Sequence, residues 1–281
     1  MNWNPTWICP ANDLGDPAAV FGTSFVFEKK ITLANLTITA MGVYEARLNG
    51  RRVGQFVMAP GWTSYHKRLQ YQKYDITDLL TNGKNEIEVT VGKGWYRSPL
   101  PGWLGCAYQD ELRSRPCGLA AQITLTFEDG SSKILSTDES WKVSDGPVRF
   151  SEIYDGEIYD STKTPLLDQP VTMFDGPTDT LILQQGEEVC EQERLAVKKV
   201  FVTPNGETVL DFGQNMTGYV ELFVNAKADD CVDLSFAEVM DKDGNFYTEN
   251  YRGAKAQYHY ICSDGVQTWH PSLTFYGFRY I

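Results

Sequence analysis

Long apolar runs are missing from this chain: no stretch of its 281 residues approaches the roughly 18 consecutive apolar side chains that cross a bilayer. The first residues, MNWNPTWICPANDLG, carry no basic region followed by an apolar one, so no secretory leader is read there and the expected setting is soluble and cytoplasmic. Basic residues are in deficit, 25 Lys and Arg against 37 Asp and Glu for a formal charge of −12. A polyphosphate partner would meet repulsion where a nucleic-acid binder needs attraction, which excludes that class and gives no reason to expect a membrane partner. Histidine is scarce: His66, His259 and His270 stand far apart without the spacing of a metal site or a catalytic triad, and are read as structural. The six cysteines (Cys9, Cys106, Cys117, Cys190, Cys231, Cys262) form no C-x-x-C pair and lie near apolar residues. Buried, reduced thiols are expected. Gly92-Lys93-Gly94 lacks the third glycine and the following helix of a phosphate-binding loop.

Helical periodicity is also nearly absent, and what replaces it is short alternation of β-branched and aromatic residues broken by Gly, Asn and Asp. An all-β chain follows. Strands are expected at Ser24–Phe27, Asn35–Ala40, Val43–Leu48, Arg68–Asp75, Asn85–Gly92, Gly118–Phe127, Ser131–Ser136, Thr208–Phe212, Gly218–Val224, Cys231–Ala237, Gln257–Ile261 and Phe275–Ile281. Asn49-Gly50, Asn82-Gly83, Asp129-Gly130, Asn205-Gly206 and Asp243-Gly244 supply residues tolerant of positive φ at the tight connections. One short helical turn is expected at Ile76–Leu80, capped by Asp75 or Thr77. The texture changes over Ser161–Glu193, with Pro165, Pro170, Pro177 and an acidic cluster. The expected organisation is therefore a first β-sandwich over 1–165, a connection over 166–194 and a second sandwich module over 195–281. The last residues, SLTFYGFRYI, read as a strand without polar closure, so the second module is expected to be cut short.

Several motifs carry chemistry in principle. Gly94–Gly105 (GWYRSPLPGWLG) holds Trp95, Tyr96, Arg97 and Trp103 among Gly and Pro, and Trp62 sits in a similar setting at PGWTSY. Flat aromatic faces on such loops suit the apolar faces of pyranose rings, with Arg97 and Ser64 as hydrogen-bond donors. The alternative is that the rings plug the sandwich ends or face another domain, and both readings stay open. Asp155, Glu157 and Asp160, interleaved with Tyr154 and Tyr159, are candidate acceptors for sugar hydroxyls or a calcium-ligating rim, against the alternative of a solvated loop. Asp241-Lys242-Asp243-Gly244-Asn245 begins like a helix-loop-helix calcium site, but its glycine falls too early and Arg252 stands where the closing Glu belongs. A hairpin turn is expected there.

Taken in order, ITAMGVYEARLNGRRVG (Ile38–Gly54), APGWT (Ala59–Thr63), KRLQYQKYDITDLL (Lys67–Leu80), Gly94-Trp95-Tyr96, Ser140-Trp141-Lys142, Gly146-Pro147 and IYDGEIYD (Ile153–Asp160) resemble the N-terminal β-sandwich of bacterial α-L-rhamnosidases. DFGQNMTGYV (Asp211–Val220), AEVMDKDGNFYTEN (Ala237–Asn250), RGAKA (Arg252–Ala256) and FYGFRY (Phe275–Tyr280) resemble the next module of the same enzymes. The resemblance implies two consecutive jelly-roll-like antiparallel sandwiches, the first galactose-binding-like. It also implies that inverting hydrolysis of terminal α-L-rhamnosyl bonds belongs to carboxylates of an (α/α)₆ barrel that follows them. No catalytic residue is carried over to this sequence. By the same resemblance the partners are a rhamnose-containing glycan and the catalytic barrel. Calcium is a candidate ligand of the first sandwich, and Tyr247, Glu249, Asn250 and Arg252 are candidates for the barrel interface. Two rival readings remain at this point. One is a self-sufficient glycosidase, which needs two carboxylates ~5–5.5 Å or ~6.5–9.5 Å apart across a cleft. The other is a purely structural pair of modules.

Overall fold

Alternating side chains give strands with one buried face, and each such strand must find a second sheet to cover it. The computed structural model describes residues 3–99, 111–112 and 114–281, and nearly all of its regular structure is β. In the first unit one sheet is built on Ile31–Met41, Leu69–Asp75, Gly118–Phe127 and Ser132–Ser136, and the facing sheet on Ala19–Phe27, Val43–Leu48, Gly83–Gly92 and Lys142–Asp145. The two are joined at one edge by Gln169–Phe174, whose start pairs with Lys142–Asp145 and whose remainder pairs with Trp7–Pro10. Within 166–194 there is also Leu181–Leu183, which runs parallel to Leu69–Asp75. Between the sheets lie Ile8, Phe21, Leu36, Ile38, Leu48, Ile87 and Leu125, all essentially inaccessible. Each such side chain contributes about 1.5–3 kcal/mol of transfer free energy, which holds the sheets face to face.

The second unit is narrower. Lys199–Val202, Thr208–Gly218 and Tyr276–Tyr280 form one sheet, and Leu222–Ala226 pairs with Gly265–Trp269. Its core is aromatic: Phe236 lies 4.9 Å from the ring centroids of Tyr258, Tyr276 and Phe278. The Asp241–Asn245 segment is the expected hairpin turn, joining Val239–Met240 to Phe246–Tyr247, with Asp241 Oδ1 accepting from the backbone N–H groups of Asp243 and Asn245.

The two units share a sheet. The hairpin of Val148–Glu152 and Gly156–Asp160 places its second strand parallel to Gln257–Ile261, which pairs in turn with Cys231–Ser235. Gly156 has φ +114, and a Cβ there would lie 1.7 Å from the Gln257 carbonyl oxygen. Only glycine permits that approach. Around this seam Ala18, Val43, Val57, Met58, Val148, Ile153 and Leu273 form a core of their own.

Most expected strands are present, and Val43–Leu48, Gly118–Phe127 and Gln257–Ile261 have the expected bounds. The turn at Ile76–Leu80 is a 3₁₀ turn over Thr77–Leu79, with Asp75 Oδ1 accepting from the Thr77 N–H at 2.9 Å. Gly218–Val224 differs: one strand ends at Gly218 and pairing resumes only at Leu222, and in the gap Tyr219 stacks on His270. The five described cysteines are free thiols, as expected, but only Cys262 is buried and Cys231 is exposed.

Candidate functional site

The strand Gly83–Gly92 ends against the seam and the chain turns at once into a single helical turn, Gly94–Arg97. Gly94 makes this possible, since at φ +52 a Cβ would lie 2.6 Å from Val43 Cγ1 and 2.8 Å from the Val43 nitrogen. Successive side chains on a helical turn diverge by about 100°. Trp95, Tyr96 and Arg97 therefore enter three different environments.

Trp95 meets Trp62 from the loop after Pro60. Their rings are 6.0 Å apart between centroids and inclined by only 3°, an offset stack. Trp62 is 56% exposed, while Trp95 is half-buried and leans on Phe275 across the seam. The outer ring of the stack is thus a flat apolar face in solvent, braced from below by a ring that belongs to the core. Tyr96 turns the other way. Its edge meets Tyr65 at 5.3 Å, its hydroxyl lies 3.7 Å from Met41 Sδ, and the Arg115 guanidinium covers its face at 5.2 Å. Burial pushes the Tyr96 phenol above its ordinary range. Arg97 lines a separate cavity with Lys93 and Arg115. Of the expected aromatic group, the structure brings Trp62 and Trp95 together and leaves Tyr96 and Arg97 outside that surface. Trp103 lies outside the described residues.

The three acids of Ile153–Asp160 do not share a solvent-facing rim. Asp155 is ion-paired with Lys255 at 3.1 Å, and Asp160 is spent on its own turn, accepting from the Thr162 N–H at 3.0 Å and the Thr162 hydroxyl at 2.6 Å. Glu157 is enclosed in the seam with 2% exposure. Its Oε2 accepts from the Leu273 N–H at 3.4 Å, and its Oε1 has no partner. Desolvation, reinforced by the Glu45 carboxylate, pushes the Glu157 carboxyl up to about 8. The register of the strand, with Gly156 opposite Gln257, turns it inward, so neither sugar hydroxyls nor a cation at the surface meets it. Among the described residues no group of three or more His, Cys, Asp or Glu side chains could hold a metal ion.

On the second unit, Glu249, Asn250 and Arg252 are exposed around a 3₁₀ turn, Glu249–Tyr251, with Tyr247 half-buried just before it. Glu238 organises this corner: its two oxygens accept from Asn215 Nδ2 and Asn250 Nδ2, each at 3.1 Å. Tyr251 anchors the turn by donating to the Gly277 carbonyl at 2.7 Å. Arg252 has φ 59 and ψ −110, a conformation costly for a residue with a side chain. Nothing local in the sequence singles out Glu238 from the other acids; its role arises from strands distant in sequence.

Comparison with known proteins bears on this arrangement. The family profile described as Alpha-L-rhamnosidase N-terminal domain matches residues 29–198, and the one described as Bacterial alpha-L-rhamnosidase concanavalin-like domain matches 201–281. The chain is 37% identical over 265 residues to an α-L-rhamnosidase of Streptomyces avermitilis, covering 90% of this chain and 25% of that protein. It is 36% identical over 274 residues to one of Formosa agariphila, covering 91% and 29%. The crystal structure of the native α-L-rhamnosidase of Aspergillus terreus superposes with a TM-score of 0.90 at 38% identity, over 98% of this chain and 33% of that one. The Streptomyces avermitilis enzyme complexed with L-rhamnose gives a TM-score of 0.86 at 36% identity, over 94% and 26%. The chain thus spans between a quarter and a third of the length of these relatives. The chain belongs to the bacterial α-L-rhamnosidase family, of which it carries the N-terminal and concanavalin-like β-sandwich domains.

Proposed function

We propose that this chain is the non-catalytic sandwich region of an enzyme that hydrolyses terminal α-L-rhamnosyl bonds, and that it supports a catalytic domain and holds rhamnose-containing glycan beside it. The observation that carries this reading is coverage: two non-catalytic family domains account for residues 29–198 and 201–281, while the α-L-rhamnosidases it matches are three to four times longer. Glycan holding is supported by the Trp62–Trp95 stack, since an exposed indole face braced by a core ring binds a pyranose face at little cost in side-chain ordering. Tethering substrate in this way raises its concentration at a neighbouring active site without chemistry by the tether. The exposed corner of Glu249, Asn250 and Arg252, fixed by Glu238, is proposed as the face turned to the catalytic domain. Free thiols at all five described cysteines suit a cytoplasmic setting.

Two measurements test the proposal. The purified 281-residue chain is expected to release no p-nitrophenol from p-nitrophenyl α-L-rhamnoside, and reproducible turnover would defeat the non-catalytic reading. Titration of L-rhamnose, with and without calcium, is expected to give a saturable change in tryptophan fluorescence that Trp62→Ala abolishes with little loss of stability. A response that survives Trp62→Ala would remove the stack as the binding surface, and a calcium requirement would assign the ion to the first sandwich.

A further inference from the structure

Behind the loop that carries Trp62, the first sandwich buries amides among apolar side chains. Gln70 and Gln72 stand two apart on Leu69–Asp75 and so project from one face of that strand, and Gln72 is only 1% exposed. Each of them reaches in two directions. Gln70 Oε1 accepts from the Gln185 N–H at 3.0 Å, and Gln72 Nε2 donates to Gln184 Oε1 at 2.8 Å. Gln184 and Gln185 follow Leu181–Leu183, the strand of the connection that runs parallel to Leu69–Asp75. In the other direction both amides converge on one atom, the Pro60 carbonyl oxygen, which accepts from Gln70 Nε2 at 3.3 Å and lies 3.5 Å from Gln72 Nε2. The remaining acceptor, Gln72 Oε1, takes the Tyr44 hydroxyl at 2.8 Å. Ala59 is fixed in its turn, its carbonyl accepting from the Tyr44 N–H at 2.7 Å. Pro60 is therefore where the loop leaves the sheet for Gly61 and Trp62. A buried amide is costly unless paired, so the two glutamines sit favourably only with the connection and the loop both in place.

We propose that Gln70 and Gln72 are positioning residues through which the connection clamps Trp62 onto Trp95, so that the exposed indole face is set while Gln184 and Gln185 are docked on Leu69–Asp75. Trp95 is held separately, by the turn Gly94–Arg97 and by Phe275. The clamp thus acts on the outer ring. Its consequence for glycan rests on the role proposed above for this face: loosening the connection lowers sugar affinity without altering either indole.

Fluorine NMR of the 281-residue chain labelled with fluorotryptophan tests it. Trp62→Phe identifies the Trp62 resonance among those of the seven tryptophans, and Trp95→Leu gives its unstacked position. With Gln70→Leu and Gln184→Ala combined, the resonance is expected to move at least half-way to that position, each single change moving it part of the way. Ile87→Val, which loosens the core of the facing sheet without touching the amides, is expected to leave it in place. A resonance unmoved in the folded variants overturns the proposal, and so does an equal movement in Ile87→Val. If Gln70→Leu loses its native near-ultraviolet dichroism, Gln184→Ala, which lies on the connection, carries the comparison. L-rhamnose titration separates the clamp from the glycan reading. Where the wild type binds, affinity is expected to fall severalfold in the combined variant, and undiminished affinity beside a moved resonance overturns the clamp as a regulator of the face. A wild type that binds no rhamnose removes the glycan reading, and the resonance alone then decides the clamp.

Discussion

Replacing Glu157 by glutamine keeps the shape and an acceptor for the Leu273 N–H while removing a proton equilibrium from the seam. The carboxyl ionises near its ordinary 4.5 when unfolded and at about 8 when folded. Over that window the native state holds the proton and the unfolded chain does not. Stability therefore falls as pH rises above about 4.5 and stops falling above about 8, at about 1.4 kcal/mol per pH unit. The group costs about 3 kcal/mol at pH 7 and about 5 kcal/mol above pH 8. It is almost fully buried, so solvent screening does little to reduce these values. Glu157→Gln should match wild type to within about 1 kcal/mol at pH 5 and exceed it by about 3 kcal/mol at pH 7. Urea unfolding at pH 5, 6, 7 and 8, followed by tryptophan fluorescence, gives the difference directly, and the remaining acids cancel between the two proteins. A constant offset, with parallel pH profiles, would refute the assignment of a neutral carboxyl to the seam.

Two further substitutions probe the same architecture. Gly156→Ala would drive a methyl group into the Gln257 carbonyl, which a Cβ approaches to 1.7 Å; a loss above about 4 kcal/mol is expected in urea. Hydrogen exchange should show the amides of 156–160 and 257–261 exposed together, and a loss under about 1 kcal/mol would contradict the close contact. Phe236→Ala empties a site with no solvent exposure amid three rings at 4.9 Å and should cost about 3–5 kcal/mol. Its effect should appear as lost exchange protection in Tyr258, Tyr260 and Phe278 before the first sandwich is affected.

What local pattern could reveal follows from how local each interaction is. Asn49-Gly50 announces a two-residue turn because both positions need positive φ, and they have 53° and 76° between the paired residues Leu48 and Arg51. Gly118–Phe127 is legible because its alternation is answered on both sides, by Ile31–Met41 and by Ser132–Ser136. Lys142–Asp145 and Gln169–Phe174 are short, polar or interrupted by Pro170, and they become strands only because each bridges two partners. The aromatic cluster at 94–97 was visible as chemistry. Its division into an exposed stack, a buried phenol and a cavity guanidinium was not, since that depends on a helical turn forced by a glycine pressed on Val43.

Gly156–Asp160 shows where hydrophobic pattern misleads. Alternation would turn Ile158 inward and Glu157 and Tyr159 outward, yet Ile158 is 36% exposed while Glu157 is enclosed and Tyr159 stacks on Tyr260 at 5.7 Å and 12°. A slip of one residue would restore the ordinary pattern, because every side chain in a strand changes face with its register. The slip is blocked at the first pair. The position opposite Gln257 tolerates no Cβ, and its neighbours Asp155 and Glu157 both have one, so only Gly156 can stand there. One glycine at positive φ thus outweighs the cost of a buried acid at the next residue, about 3 kcal/mol at neutral pH. That ordering of magnitudes requires the Gly156 variant to be the more damaging of the two seam substitutions, whereas the Glu157 variant is the more stable protein.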